Sequence, residues 1–203
     1  MSGPIWEEAA IVSHTTPNTQ GNVLFEGIYF RKDYGTEDKL VGNVTGPASI
    51  FEVNERGNPD NVSFVACHFR SDAPVARKTG LRPAKRSKGL DVRGGSRISL
   101  SRCTFEYLCI GVVFIGRKHR VDRCIQRYCW DDCVEILDDC EDIEITNNIC
   151  HDWIGDHGYH PDFIHIYEQK GGKSQTGLSV VGNGVFPGIE GHLAPAWPTT
   201  PLS

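Results

Sequence analysis

Apolar and polar residues alternate in short runs along most of the chain. This is the two-residue period of half-buried strands, not the 3.6-residue period of helices. Val62-Ser63-Phe64-Val65-Ala66-Cys67-His68-Phe69 and Ile98-Ser99-Leu100-Ser101-Arg102-Cys103-Thr104-Phe105 share one form, apolar-x-apolar-x-x-Cys-x-Phe. The run from Val23 to Phe30 has the same form with Ile28 at the Cys place, and runs beginning at Val121, Ile143 and Leu178 continue it. The aligned position reads Ile28, Cys67, Cys103, Cys124, Asn148, Asn183, with 21 residues from Cys103 to Cys124 and 24 from Cys124 to Asn148. A second strand follows each first one. Val113-Phe114-Ile115, Val134-Glu135-Ile136 and Ile164-His165-Ile166 are its clearest copies. Val113 lies 10 residues after Cys103, and Val134 lies 10 after Cys124. Leu90-Asp91-Val92 and Ile50-Phe51-Glu52-Val53 read as earlier copies.

A period of roughly 20–25 residues, filled by short strands and turns, predicts a solenoid. The expected fold is all-β, a right-handed parallel β-helix of about six coils, with equivalent residues stacked in ladders about 4.8 Å apart. Residues 22–186 form the expected β-helix domain, residues 1–21 an N-terminal extension and residues 187–203 an irregular Pro-rich tail. The Cys67–Cys103–Cys124 ladder is expected inside as buried thiols. Asn148 and Asn183 continue it, with side chains able to hydrogen-bond along the axis.

Composition agrees with this reading. The chain has 22 Gly and 11 Pro against one Met, which suits many corners and few long helices. Hydrophobic residues are 39% and charged residues 23%, which indicates a globular chain. No apolar run approaches the roughly 20 residues of a membrane span. The formal charge of −5 argues against a general nucleic-acid binder. Met1 to Gln20 lacks the apolar centre of a secretory leader. Eight cysteines include no pair of CxxC motifs, so structural zinc is not expected.

Stacking also gathers polar residues. Aligning Ile115, Ile136 and Ile166 places Phe114, Glu135 and His165 in one outward ladder, with Asp91 one coil earlier. Gly111, Asp132 and Asp162 form a second ladder, and Cys109, Trp130 and His160 a third. Asp132 and Asp162 should then face each other across one coil step. Carboxylates at such a distance repel, which raises one pKa and favours general acid–base chemistry. Trp130 beside carboxylates and imidazoles suits a sugar ring. His151, His157, His160 and His165 cluster in sequence, but no HExxH pattern exists and no metal centre is expected. The eight acids between Asp131 and Glu144 read first as a solvated edge, with calcium between turns as the alternative. A basic stretch, Arg77-Lys78, Arg82, Lys85-Arg86 and Lys88, reads as a solvated loop.

The segment Gly89 to Ile98, the Cys103 and Cys124 coils, Trp130-Asp131-Asp132-Cys133-Val134-Glu135-Ile136 and His160-Pro161-Asp162-Phe163-Ile164 resemble bacterial and phage right-handed β-helix proteins of the pectate-lyase-like superfamily. The resemblance covers about residues 22–186. One group in it carries His-Pro-Asp followed by an apolar residue, Ile and Gln; here His165 takes the Gln place. Asp131-Asp132-Cys133-Val134 also resembles the paired-Asp motif of polygalacturonases. That family's Asn-Thr-Asp and Gly-His-Gly elements are replaced by Cys109-Ile110-Gly111 and Pro161-Asp162-Phe163. The superfamily resemblance implies a carbohydrate ligand.

The expected function is therefore action on an acidic polysaccharide, lyase- or epimerase-like rather than hydrolytic. The candidate catalytic residues are Asp132, Asp162, His160, His165 and Glu135. The candidate substrate contacts are Trp130, Asp131, His157, Arg127 and Asp91. The alternatives are a non-catalytic glycan-binding or structural β-helix of a phage tail or surface protein, or a truncated inactive member of the superfamily. Solenoid ends expose strand edges, so a homo-oligomer or larger assembly through them is expected. An extracellular or virion-associated setting is compatible with this.

Overall fold

The structure, a computed structural model, describes residues 5–7, 10–12, 22–32, 49–54, 59–71, 87–129, 131–137, 139–153, 162–167 and 175–186. Among these residues there are nineteen strands and no helix. In chain order they are β1 (Ile5–Glu7), β2 (Ala10–Val12), β3 (Val23–Glu26), β4 (Tyr29–Lys32), β5 (Ser49–Asn54), β6 (Val62–Val65), β7 (His68–Ser71), β8 (Lys88–Ser96), β9 (Ser99–Ser101), β10 (Thr104–Glu106), β11 (Ile110–Arg117), β12 (Arg120–Asp122), β13 (Ile125–Arg127), β14 (Val134–Ile136), β15 (Glu144–Thr146), β16 (Ile149–His151), β17 (Ile164–Ile166), β18 (Ser179–Val181) and β19 (Gly184–Phe186). No helix of the described residues is long and apolar enough to cross a membrane.

The strands form three parallel sheets: β1-β4-β7-β10-β13-β16-β19, then β17-β14-β11-β8-β5-β2, then β18-β15-β12-β9-β6-β3. Each strand pairs with the one three places along the chain, so the chain visits the three sheets in rotation. This all-β arrangement of stacked parallel sheets is consistent with a parallel β-helix. Two of the strands, β1 and β2, lie within residues 1–21 and pair with β4 and β5.

The interior is built by period-two alternation. In the seven-stranded sheet Phe30, Phe69 and Phe105 face inward and stack with centroids 4.9 Å apart at each step. Phe51, Leu90, Val112 and Val134 line the second sheet, and Phe64, Leu100, Val121 and Ile145 the third. Burying each such side chain contributes roughly 1.5–3 kcal/mol.

The expected Ile28–Cys67–Cys103–Cys124–Asn148–Asn183 ladder is present. His68, Thr104, Ile125, Ile149 and Gly184 donate their amides to the carbonyls of Ile28, Cys67, Cys103, Cys124 and Asn148 in turn. The Cys124 amide donates to Asn148 Oδ1 at 2.9 Å, and Asn148 Nδ2 donates to the Val121 carbonyl at 3.0 Å. Asn183 repeats this one circuit later, accepting the Asn148 amide at 2.8 Å and donating to the Ile145 carbonyl at 2.8 Å. The residue before each ladder position is left-handed: Gly27, Ala66, Arg102, Arg123, Asn147 and Gly182 have φ between 51° and 68°. That conformation turns the chain from the third sheet into the first. The amides of the first five bond to carbonyls of the next circuit, which offsets the cost of a left-handed side-chain residue.

All eight cysteines are buried. Cys133 and Cys150 are bonded to each other, and the other six are free thiols. The hydrogen bond from Cys103 to Cys124 and burial push the Cys103 thiol up to about 12. Held in its neutral form and fully buried, Cys103 is a packing group rather than a nucleophile.

The register of the second sheet differs from the sequence expectation by one residue. Val113, not Phe114, stands opposite Glu135, and Phe114 pairs with Ile136. Val112 and Phe114 continue the inward positions of Leu90 and Val92, and Phe114 stacks on His119 in the interior. The same shift puts Gly111 level with Cys133 rather than Asp132. Val112 lies 9 residues after Cys103, whereas its partner Val134 lies 10 after Cys124. One corner is therefore a residue shorter, and a one-residue slip exchanges the two faces of a strand.

Candidate acid–base site

The outer face of the second sheet carries the acidic residues. Its ladder runs Glu52, Asp91, Val113, Glu135, His165. Asp132 ends the corner that leads into β14, and Asp162 ends the corner that leads into β17. Because Val134 pairs with Ile164, the two aspartates stack across one circuit, as the sequence ladder required. The Asp162 amide donates to Asp132 Oδ1 at 3.2 Å. His165 Nδ1 lies 3.4 Å from Asp132 Oδ2 and 3.3 Å from Asp162 Oδ2. One donor atom from each of the three residues fits within 4.8 Å.

The three groups differ in exposure. The side chain of Asp132 is 6% exposed, that of His165 27% and that of Asp162 47%. Burial pushes the Asp132 carboxyl up to about 7, helped by the negative charges of Asp131 and Glu135 and opposed by the Asp162 amide and His165. A carboxyl that titrates near neutrality can give or take a proton at working pH. Two carboxylates and an imidazole are also a donor set that could hold a divalent cation.

The other sequence candidates fall as follows. Glu135 is half-buried opposite His165, and Asp131 adjoins Asp132, its amide donating to the Cys109 carbonyl. Asp91 is on the same wall, two circuits from Glu135, and is held by Lys88 at 3.2 Å, Arg93 at 2.7 Å and Ser49 at 3.2 Å. Arg127 is on the seven-stranded sheet, with its guanidinium on Glu106. Trp130, His157 and His160 lie outside the described residues, as does Asp138 of the acidic run. Of that run, Asp132 is buried, while Asp139, Glu141, Asp142 and Glu144 are exposed.

Two groups of residues escaped the sequence reading. Lys88 and Arg93 belong to β8 and meet Asp91 on the acidic wall, whereas the sequence reading put Lys88 at the end of a loop and left the wall without a cation. Glu106 lies three residues past Cys103, in register with Arg70 and Arg127. The ladder alignment contained that relation, because those arginines lie three residues past Cys67 and Cys124.

A cleft of about 530 Å³ opens elsewhere, over the third sheet, lined by Arg97, Lys118, Arg120, Asp142 and Glu144 among others. Three cations and two acids line it, with Arg120 and Glu144 3.5 Å apart. Its histidine, His119, is a buried core ring held well below the usual range, at about 4, by desolvation. The carboxyl raised toward neutrality is at Asp132, not in this cleft.

Comparison with family models, with curated proteins and with solved structures finds no match.

Proposed function

We propose that the chain is a right-handed parallel β-helix of the pectate-lyase-like kind that acts on an acidic polysaccharide through Asp132, Asp162 and His165. The rotation of strands through three parallel sheets supports the solenoid, and parallel crossovers are right-handed in nearly all cases. The observation that carries the chemistry is a buried carboxyl titrating near 7 beside an imidazole that meets a second carboxylate.

The reaction class is proton abstraction next to a uronate carboxylate. His165 is the more exposed member of the pair and takes the proton through Nε2, while the Asp162 carboxylate 3.3 Å from Nδ1 stabilises the positive charge that forms on the ring. In an elimination, the electron pair left on carbon forms a double bond as the neighbouring carbon–oxygen bond breaks. The departing sugar oxygen takes a proton from protonated Asp132. In an epimerisation, the carbanion takes a proton from water on its opposite face, and His165 releases its own to solvent. Inverting hydrolysis fits less well. It needs carboxyl groups roughly 6.5–9.5 Å apart to admit water, and the donor atoms here lie within 4.8 Å.

The test offers polygalacturonate, alginate and hyaluronate to the protein, with and without calcium. The ultraviolet absorbance of an unsaturated uronate supports elimination, and a changed epimer ratio by proton NMR supports epimerisation. New reducing ends without either signal overturn the reaction class.

A further inference from the structure

The outer face of the seven-stranded sheet has its own electrostatic pattern, across a corner from Asp132. One ladder on it reads Glu7, Arg31, Arg70, Glu106, Arg127, His151, Phe186. Glu106 is 2% exposed and accepts from His68 Nε2 at 2.7 Å, with Arg70 at 3.6 Å and the Arg127 guanidinium on its other oxygen. Arg31 is exposed, and the side chains of Arg70 and Arg127 are about one-third exposed. The carboxylate is therefore underneath and the guanidinium groups are on the surface, in a chain whose net charge is −5.

Arg70 and Arg127 are also held in place. The guanidinium of Arg70 lies over the Tyr107 ring at 5.1 Å, and that of Arg127 over Tyr128 at 5.6 Å. The two rings are themselves stacked at 4.8 Å. Cation–π contact beside and a buried carboxylate below fix the direction of each guanidinium before any ligand arrives. Successive circuits repeat at roughly 5 Å, so Arg31 and Arg70 are one step apart and Arg70 and Arg127 two. That is close to the advance of one sugar in an extended 1→4-linked uronan.

We infer that this face is a binding surface for a linear acidic polysaccharide, with Arg31, Arg70 and Arg127 holding its carboxylate or sulfate groups. The inference rests on the reading of the chain as an acidic-polysaccharide protein and names where the polymer outside the acid–base site is held. Nucleic acid fits this face less well. Single-strand binding relies on open aromatic faces for the bases, whereas Tyr128 is buried, Tyr107 is half-buried and each ring carries its own arginine.

The experiment is affinity electrophoresis of the whole chain through gels containing polygalacturonate, alginate, hyaluronate or neutral dextran, with a single-stranded oligonucleotide as competitor. Retardation by at least one acidic polymer and not by dextran is expected. Arg31→Gln/Arg70→Gln should weaken it at least tenfold. Arg127→Lys, which keeps the charge on Glu106, should weaken it several-fold with the β-sheet circular-dichroism spectrum retained. Guanidinium attraction at low salt is general, so absence of retardation in every acidic gel overturns the inference. Equal retardation by dextran, wild-type retardation of both variants, or displacement by the oligonucleotide at a tenth of the polymer's charge concentration also overturns it. Asp132→Asn separates the two readings. Binding retained in a protein that makes no product upholds the surface even if the acid–base reading fails. Product formation with arginine-independent binding does the reverse.

Discussion

His165 Nδ1 stands 3.4 Å from Asp132 Oδ2, on the strand that stacks directly on the one Asp132 introduces. The contact is longer than a strong hydrogen bond, so it couples the groups by charge while leaving each able to move its own proton. It exists because Asp132 and Asp162 each stand two residues before a paired position, Val134 and Ile164, and so stack across one circuit.

Asp132→Asn removes the titrating group and keeps its size. Turnover should fall by roughly 10²–10⁴-fold, the usual contribution of a positioned acid or base. The β-rich circular-dichroism spectrum should stay unchanged. A rate within threefold of wild type would remove Asp132 from the reaction.

Stability should depend on pH in two opposite ways. Asp132 has a folded pKa of about 7 against its ordinary 3.8, so the folded state binds the extra proton between those values. Stability from this group is full below about pH 4 and declines as pH rises to 7, by at most about 4 kcal/mol. Asp132→Asn should therefore match wild type at pH 4 and exceed it at pH 8 in urea unfolding. Glu106 behaves inversely. Burial raises its carboxyl, but His68 and Arg127 outweigh that and hold it at about 2, below its ordinary 4.5. Its contribution, about 3 kcal/mol at most, is present above pH 4.5 and lost as pH falls through 2. Glu106→Gln should flatten that acid limb.

Asn148 serves two circuits at once, through the Cys124 amide and the Val121 carbonyl. Asn148→Ala should cost about 2–4 kcal/mol, because buried backbone groups lose their partners. Asn148→Cys should cost less than half as much. It repeats the step already present at Cys103, whose amide meets Cys124 Sγ at 3.4 Å. Equal losses in both variants by chemical denaturation would show that the side-chain ladder does not stabilise the stack.

Ala66 occupies a left-handed corner with φ of 51°, where Gly27 and Gly182 serve in other circuits. Ala66→Gly should stabilise by about 1 kcal/mol, and Gly27→Ala should destabilise by a similar amount. Thermal midpoints moving in the reverse order would contradict the corner assignment.

The interior ladder was legible in the sequence because stacking demands the same offset at every circuit, and Cys67, Cys103 and Cys124 keep it. The second-sheet register was legible only to within one residue. It depends on corner length, and Phe114 looks equally apolar on either face until Val112 and Phe114 are seen to continue Leu90 and Val92. The pairing of Asp132 with Asp162 survived because both precede their strands by the same count. The burial that raises Asp132 comes from packing between circuits, and no local pattern reports it. Glu106 was hidden differently: its partners His68, Arg70 and Arg127 lie 20 to 40 residues away in sequence and one step away in space.

Carbon-13 NMR titration of the Asp132 side-chain carboxyl tests the acid–base site without knowing the glycan. The carboxyl should titrate with a midpoint near 7 in the wild type, and the midpoint should rise in His165→Ala, where a neighbour that favours the charged form is gone. A midpoint near the ordinary 3.8, unchanged by loss of His165, would contradict the site.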